Sequence, residues 1–167
     1  MELSTLENYK ALTICKEMFQ VRNYKIYDID DLHLKAYTPN NQIIYLYIMT
    51  VPKLNVDLMK YYYSILHADN IKQCILVYQT NITSSVKKIL QNIDIHVELF
   101  CIDELKYNIL NHVLVPKHTK IDRMSKNDKK YPILKKSDAV ARFMGYKMGD
   151  IIRIDRNDGT IYYRYVR

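Results

Sequence analysis

Glycine is nearly missing from this chain of 167 residues: there are three, none before Gly145, and tryptophan is absent altogether. A loop that cradles phosphate needs glycines so that backbone amides can close on the ligand. Neither a P-loop nor a dinucleotide fingerprint can therefore be built ahead of Gly145. Cysteine is scarce too. Cys15, Cys74 and Cys101 lie far apart, form no CxxC pair and match no zinc spacing. They read as buried apolar residues of a reducing compartment, and neither disulfides nor structural zinc are expected. No apolar run approaches the roughly 20 residues a membrane helix needs, and the N-terminal "MELSTLENYKALTICKEMF" has charges spread through it. Neither a membrane span nor a secretion signal is expected.

What the chain does have is enough apolar residues, 49%, to bury a core in one domain or two small ones. A net charge of +7 favours contact with an acidic partner, although a surplus of this size also occurs in proteins that bind no polyanion. Ile, Lys, Asn and Tyr are abundant, with 16 tyrosines, a bias that fits an AT-rich genome better than any chemistry.

The first segment, "STLENYKALTICKEMF", pairs Ser4 with Glu7 as a capping box and spaces Leu6, Tyr9, Leu12, Cys15, Met18 and Phe19 for one helix face. "HLKAY" and "IIYLYIMTV" flank the turn "TPNNQ" and read as paired strands. Asn55 is placed to cap a second helix, with Val56, Met59, Tyr62, Tyr63 and Leu66 on its inner face. "QCILVY" reads as a buried strand, "SSVKKILQNI" as a helix capped by hydroxyl residues, and "IHVELFC" as a further strand. This alternation implies a layered α/β domain up to about residue 102.

Beyond it, residues 117–136 carry eight Lys or Arg against two Asp and read as an exposed, mobile connection. "HVLV" alternates like a strand ended by Pro116, a seam between domains. Ser137 is placed to cap a short helix that Gly145 ends in the left-handed conformation, and "DIIRID" and "TIYYRYV" flank the hairpin turn "RNDG". Val140 and Phe143 fall on one side of that helix, and Gly149 permits a backbone turn that a side chain would obstruct. Arg142 fits either an acidic group on a partner or plain solvent.

Catalytic constellations are hard to find. His112 and His118 lack a neighbouring Cys or carboxylate to complete a metal site. No nucleophile sits in a recognisable strained turn. A metal-dependent nuclease would need carboxylates on its central strand, and "IIYLYIMTV" has none; Asp28, Asp30 and Asp31 precede it, and Glu98 stands alone in a later strand, read as part of a solvated face. "TNITSSVKK" is different. Its hydroxyls and free amides at a helix start, followed by Lys87 and Lys88, suit phosphate contact, and equally suit an ordinary cap with two solvated lysines.

From residue 112 onward the chain resembles the small assembly subunit of cellular RNA polymerases, called subunit five in eukaryotes and present in archaea as a shorter counterpart that is little more than the C-terminal domain. The residues that carry this are "HVLVPKH", similar to the family's His-x-Leu-Val-Pro-x-His signature, and "PILKKSDAVARFMGYKMGDIIRIDRNDGTIYYRYV", similar to its closing run. "QTNITSSVKK" looks like the family's Thr-Pro-Ser-Ala loop, which extends the likeness into the eukaryotic two-domain form. Ser84 and Ala139 stand where the family has proline, the helix between the C-terminal motifs is cut to the basic stretch 119–131, and the turn at Asn157-Asp158-Gly159 is shorter than usual.

The resemblance implies an α/β N-terminal jaw domain, residues 1–108, with a restriction-endonuclease-like core lacking an active site, and a small α+β C-terminal assembly domain, residues 109–167. It implies a non-catalytic polymerase subunit with no cofactor, metal or small-molecule ligand. Its partners would be the largest polymerase subunit, other subunits and the phosphates of downstream double-stranded DNA, with no membrane. The alternative is a stand-alone basic nucleic-acid-binding module on the same fold. DNA-proximal residues would be Thr83, Ser84, Ser85, Lys87 and Lys88. Assembly would involve His112, Leu114, Val115, Pro116 and His118, then Asp138, Val140, Ala141, Arg142, Phe143, Gly145, Gly149, Tyr163 and Arg164. The expected place is the nucleus for a cellular source, or the virion or infected cell for a large DNA virus, which the AT-rich composition and short linker favour.

Overall fold

Runs of Ile, Leu, Val and Tyr five or six residues long are too short for packed helices and long enough for strands. The computed structural model describes residues 2–122 and 130–167. The chain separates into two units, Met1–Tyr107 and Asn108–Arg167. The first begins with helix α1 (Glu2–Val21) and strands β1 (Lys25–Ile29), β2 (His33–Tyr37) and β3 (Ile43–Ile48). Then come β4 (Lys53–Leu54), α2 (Val56–Ala68), β5 (Gln73–Tyr78), β6 (Asn81–Ile82), α3 (Ser84–Asn92), β7 (His96–Cys101) and a 3₁₀ turn at Ile102–Leu105. Five strands form one sheet in the order β1-β2-β3-β5-β7. β1, β2 and β3 pair antiparallel through hairpins, whereas β3, β5 and β7 run parallel, joined by the segments that hold α2 and α3.

Register decides which residues meet which helix. Tyr45, Cys74 and Val97 share one row of the sheet, and Tyr47, Leu76 and Leu99 the next but one. On that face they join Met59 and Leu66 of α2 and Val86 of α3 in one apolar cluster. The intervening rows, with Leu46, Ile75, Ile48 and Val77, are buried on the opposite face. Glu98 belongs to that second face, in register with Ile75, and its two carboxylate oxygens accept hydrogen bonds of 3.2 and 2.8 Å from the Arg22 guanidinium just past α1. The Arg22 side chain is 2% exposed. Glu98 is therefore not part of a solvated face: it neutralises a buried cation and fastens the end of α1 to the sheet.

Other expectations need correction. α1 begins at Glu2, so Ser4 lies inside the helix rather than at its cap. Leu6 and Tyr9 are exposed, and burial along α1 starts at Asn8 and continues through Ala11, Leu12, Cys15, Met18 and Phe19. β1 escapes a reading by composition because "KIYDI" is short and interrupted by charge. Asn55 does cap α2, its Oδ1 accepting from the Leu58 amide at 2.9 Å.

In the second unit a 3₁₀ turn at Ile109–Asn111 precedes β8 (Lys117–Ile121), β9 (Ile133–Leu134), α4 (Ala139–Phe143), β10 (Ile151–Asp155) and β11 (Ile161–Val166). The sheet order is β8-β10-β11-β9. Ala141, Tyr146, Ile152, Ile154 and Val166 form its core, with Leu134 and Met144 against them. "HVLV" is not a strand. Residues 112–115 form a turn in which the Val115 amide donates to the His112 carbonyl at 2.9 Å, and the strand starts after Pro116, where its missing donor costs no ladder bond. The connection 117–136 likewise holds β8 and β9 at its ends, and the expected mobility of its middle falls on residues 123–129, outside the described residues.

Asp138, not Ser137, caps α4: its Oδ1 accepts from the amides of Val140 at 2.9 Å and Ala141 at 3.1 Å. Gly145, at φ 67°, closes the helix with its amide on the Arg142 carbonyl and the Tyr146 amide on the Ala141 carbonyl, the paired bonds of a left-handed C-terminal cap. Gly149 sits at φ 94° while its amide donates to the Val166 carbonyl at 3.0 Å, tying the turn before β10 to the end of β11.

Two stability outcomes follow from this packing. Glu98→Ala leaves the Arg22 guanidinium buried beside an empty partner position and is expected to lower unfolding free energy by about 2 to 3 kcal/mol, less than a fully enclosed pair because Glu98 is partly exposed. Gly149→Val forces a β-branched residue to positive φ and is expected to cost about 1 to 3 kcal/mol. Urea titrations followed by circular dichroism check both, and an unchanged midpoint for either variant contradicts its account.

Candidate functional site

The acidic residues are bound elsewhere than a metal site requires. Asp28 Oδ2 lies 3.0 Å from Lys35 Nζ, which holds its carboxyl below the usual carboxylate range, and Asp30 lies 3.4 Å from His33 Nδ1. β1 and β7 are the two edges of the five-stranded sheet, so at a strand spacing of roughly 4.8 Å Asp28 and Glu98 stand about 19 Å apart. Among the described residues no three His, Cys, Asp or Glu side chains gather closely enough to hold a metal. Burial pushes the Cys15 thiol up to about 12 and raises Cys74 as well, so both stay protonated near neutral pH and neither is a nucleophile. Cys101 is half-buried, with Sγ 3.5 Å from the Gln79 carbonyl oxygen.

"HVLVPKH" resolves into backbone chemistry. His112 Nδ1 accepts from the Leu114 amide at 3.2 Å, and His118 Nδ1 lies 2.7 Å from the Pro116 carbonyl oxygen, a contact that requires the proton on that nitrogen. Each imidazole thus supports the local turn. The segment between them leaves apolar surface in water: Leu114 is 81% and Val113 78% exposed, while Val115 and Pro116 are half-buried. The remaining residues expected for assembly divide in two. Asp138, Val140, Ala141, Phe143, Gly145 and Gly149 build the unit itself, as caps, turns or core. Arg142, Tyr163 and Arg164 are half-buried, and the Tyr163 ring stacks on Tyr131 at 5.5 Å.

The start of α3 is the other candidate. Thr83 Oγ1 accepts from the Val86 amide at 3.3 Å, so this hydroxyl is occupied as a helix cap. Val86 is buried, and Ser84, Ser85, Lys87 and Lys88 on either side of it are exposed. Tertiary structure adds a cation that sequence reasoning did not include. β4 and β6 pair parallel, Lys53 opposite Asn81, and the Thr80 amide and hydroxyl both donate to the Pro52 carbonyl, at 3.2 and 2.6 Å. Exposed Lys53 therefore borders the same loop, from 28 residues upstream of Asn81, a proximity no local signal could reveal.

Residues 107–166 match the family described as RNA polymerase Rpb5, C-terminal domain. The chain is 28% identical over 183 aligned positions to the 454R protein of Invertebrate iridescent virus 6, a proposed DNA-directed RNA polymerase subunit, an alignment that covers 95% of this chain and 98% of the viral one. It is 32% identical over 130 positions to the rpabc1 subunit of DNA-directed RNA polymerases I, II and III of Dictyostelium discoideum, covering 70% of this chain and 66% of that protein. Against subunit 5B of the Arabidopsis thaliana RNA polymerases IV and V it is 31% identical, over 56% of this chain and 47% of the plant one.

The separation of Asp28 from Glu98 leads to one expected outcome: with Mg²⁺ or Mn²⁺ present, the purified chain leaves single- and double-stranded DNA intact. Gel assays across purification fractions check it. Cleavage that follows the protein and is lost in Asp28→Asn or Glu98→Gln would contradict the geometry.

Proposed function

Because the chain belongs to the Rpb5 family of RNA polymerase subunits, we propose that it is a non-catalytic structural subunit of a multisubunit DNA-dependent RNA polymerase. One observation carries this reading. The family match covers residues 107–166, which fold as a unit of their own, Asn108–Arg167, while the alignment with the viral protein runs through nearly all of both chains. The alignment with the iridescent virus protein also favours a large DNA virus as the source, with action in the infected cell or virion.

In this proposal the C-terminal unit is the assembly domain and docks on the largest polymerase subunit. The exposed Val113 and Leu114 lie in a turn held at both ends by histidine-to-backbone bonds, so they reach a partner with little conformational entropy left to lose. Arg142, Tyr163 and Arg164 contribute polar and aromatic contacts around them. The N-terminal unit is the jaw, a restriction-endonuclease-like layer without metal ligands, with the start of α3 toward downstream DNA. Ser84, Ser85, Lys87 and Lys88, together with Lys53, meet phosphates there and read no bases.

Two variants of the full chain test the two halves separately. Leu114→Asp puts a charge on an already exposed position, so the fold is unaffected while retention by the tagged largest subunit is lost. Lys87→Ala/Lys88→Ala is retained normally, but the assembled transcribing complex dissociates sooner, and the slope of log affinity against log salt falls by about 2, one unit per lost phosphate contact. Normal retention of Leu114→Asp would overturn the docking surface. An unchanged salt slope, or an effect restricted to particular DNA sequences, would overturn the phosphate contact.

A further inference from the structure

The tyrosines offer an inference unrelated to DNA. β1 is an edge strand, and its pairing with β2 slips between Ile26 and Asp28, leaving Tyr27 as the extra residue of a bulge. A bulge re-aims the side chain it carries. Here the Tyr27 ring meets that of Tyr37 at 4.6 Å, tilted by 33°. Tyr37 shares its face of the sheet with Lys35, and Lys35 Nζ lies 5.3 Å from the Tyr45 ring centre. α2 covers this face only further along, where Tyr62 packs on Tyr47 at 5.0 Å. Neither Tyr27 nor Tyr37 belongs to that helix-covered cluster, and they are 47% and 39% exposed.

Their charge setting is opposite to that of the chain as a whole. Against a net charge of +7, residues 28–31 hold three aspartates, of which Asp28 and Asp30 are held by Lys35 and His33 and Asp31 is exposed. A polyanion is repelled by this corner. Addition of a strand to the open edge is also disfavoured, because the bulge breaks the regular spacing of backbone donors and acceptors. Recognition must therefore go through side chains, two tyrosine faces beside carboxylates. That chemistry suits an extended segment in which proline alternates with arginine. Prolines lie flat on tyrosine rings in a conformation that has little entropy left to lose, and guanidinium groups stack on the rings and pair with the aspartates.

We propose that the Tyr27–Tyr37 face, with Asp31 at its rim, is a docking surface for an extended, arginine- and proline-rich segment of a partner protein. It is independent of the polymerase reading and of the α3 surface. The test uses the full chain and a fluorescein-labelled synthetic peptide of alternating Arg and Pro, with a Glu-Pro peptide of equal length and an oligo(dT) strand as the other arms. Anisotropy is expected to show saturable binding of the Arg-Pro peptide alone, weakened about tenfold, or about 1.4 kcal/mol, in Tyr27→Ala/Tyr37→Ala and in Asp31→Lys. Amide shifts at Tyr27 and Tyr37 of the unaltered protein on peptide addition locate the site without relying on a variant that must fold. Equal binding by both variants, absence of shifts at these residues, or shifts caused instead by the Glu-Pro peptide or oligo(dT) would overturn the proposal.

Discussion

Burial of the central strands on both faces is the constraint from which the N-terminal unit follows. Leu46 and Ile48 of β3 and Ile75 and Val77 of β5 lie under one layer, while Tyr45, Cys74 and Leu76 lie under α2 and α3. Parallel strands need crossovers, crossovers bring helices, and helices on the faces leave the middle of the sheet without water. A carboxylate there would have to be paired. The one acidic side chain on these parallel strands, Glu98, sits on the edge strand and is paired with Arg22.

That exclusion pushes everything available for recognition outward, to helix starts, turns and edges. The exposed cations and hydroxyls of the N-terminal unit gather where α3 leaves the small β4–β6 ladder, and the exposed tyrosines gather where β1 bulges. In the C-terminal unit the same division holds on a smaller scale. Most of the closing run is consumed in folding: Asp138 caps, Gly145 ends the helix, and Val140, Ala141 and Phe143 are buried. The apolar residues left for a partner are those of the turn before β8, where Val113 and Leu114 stay in water because their histidine neighbours spend their ring nitrogens on the backbone. Membership of a polymerase subunit family agrees with a chain whose chemistry is contact rather than catalysis.

Much of this was legible in advance because it is local. Asn55 and Thr83 as caps, the turn between β2 and β3, the apolar runs of β5 and β7 and the hairpin around Asp158-Gly159 each rest on interactions within a few residues. Errors arose where two local solutions compete. Ser137 and Asp138 are both good caps, and Asp138 prevails because its carboxylate reaches two amides at once. "HVLV" has a strand's alternation, yet the histidine-to-backbone bonds stabilise a turn instead. Leu6 and Tyr9 have the right spacing for a buried face, but the layer beneath α1 begins only at Asn8.

By itself the sequence determined the type and order of most elements, the absence of glycine-built phosphate sites and the polymerase-subunit resemblance of the C-terminal motifs, since each depends on residue type at short spacing. Only the tertiary structure decided the partners of charges and the composition of surfaces. Arg22 meets Glu98 across 76 residues. Lys53 borders the α3 loop because two strands pair in parallel, and Tyr27 turns onto Tyr37 because one register slips by a residue. Such pairings are set by closure of the chain around a shared core, where one step of register exchanges a strand's faces, and no stretch of a few residues carries that information.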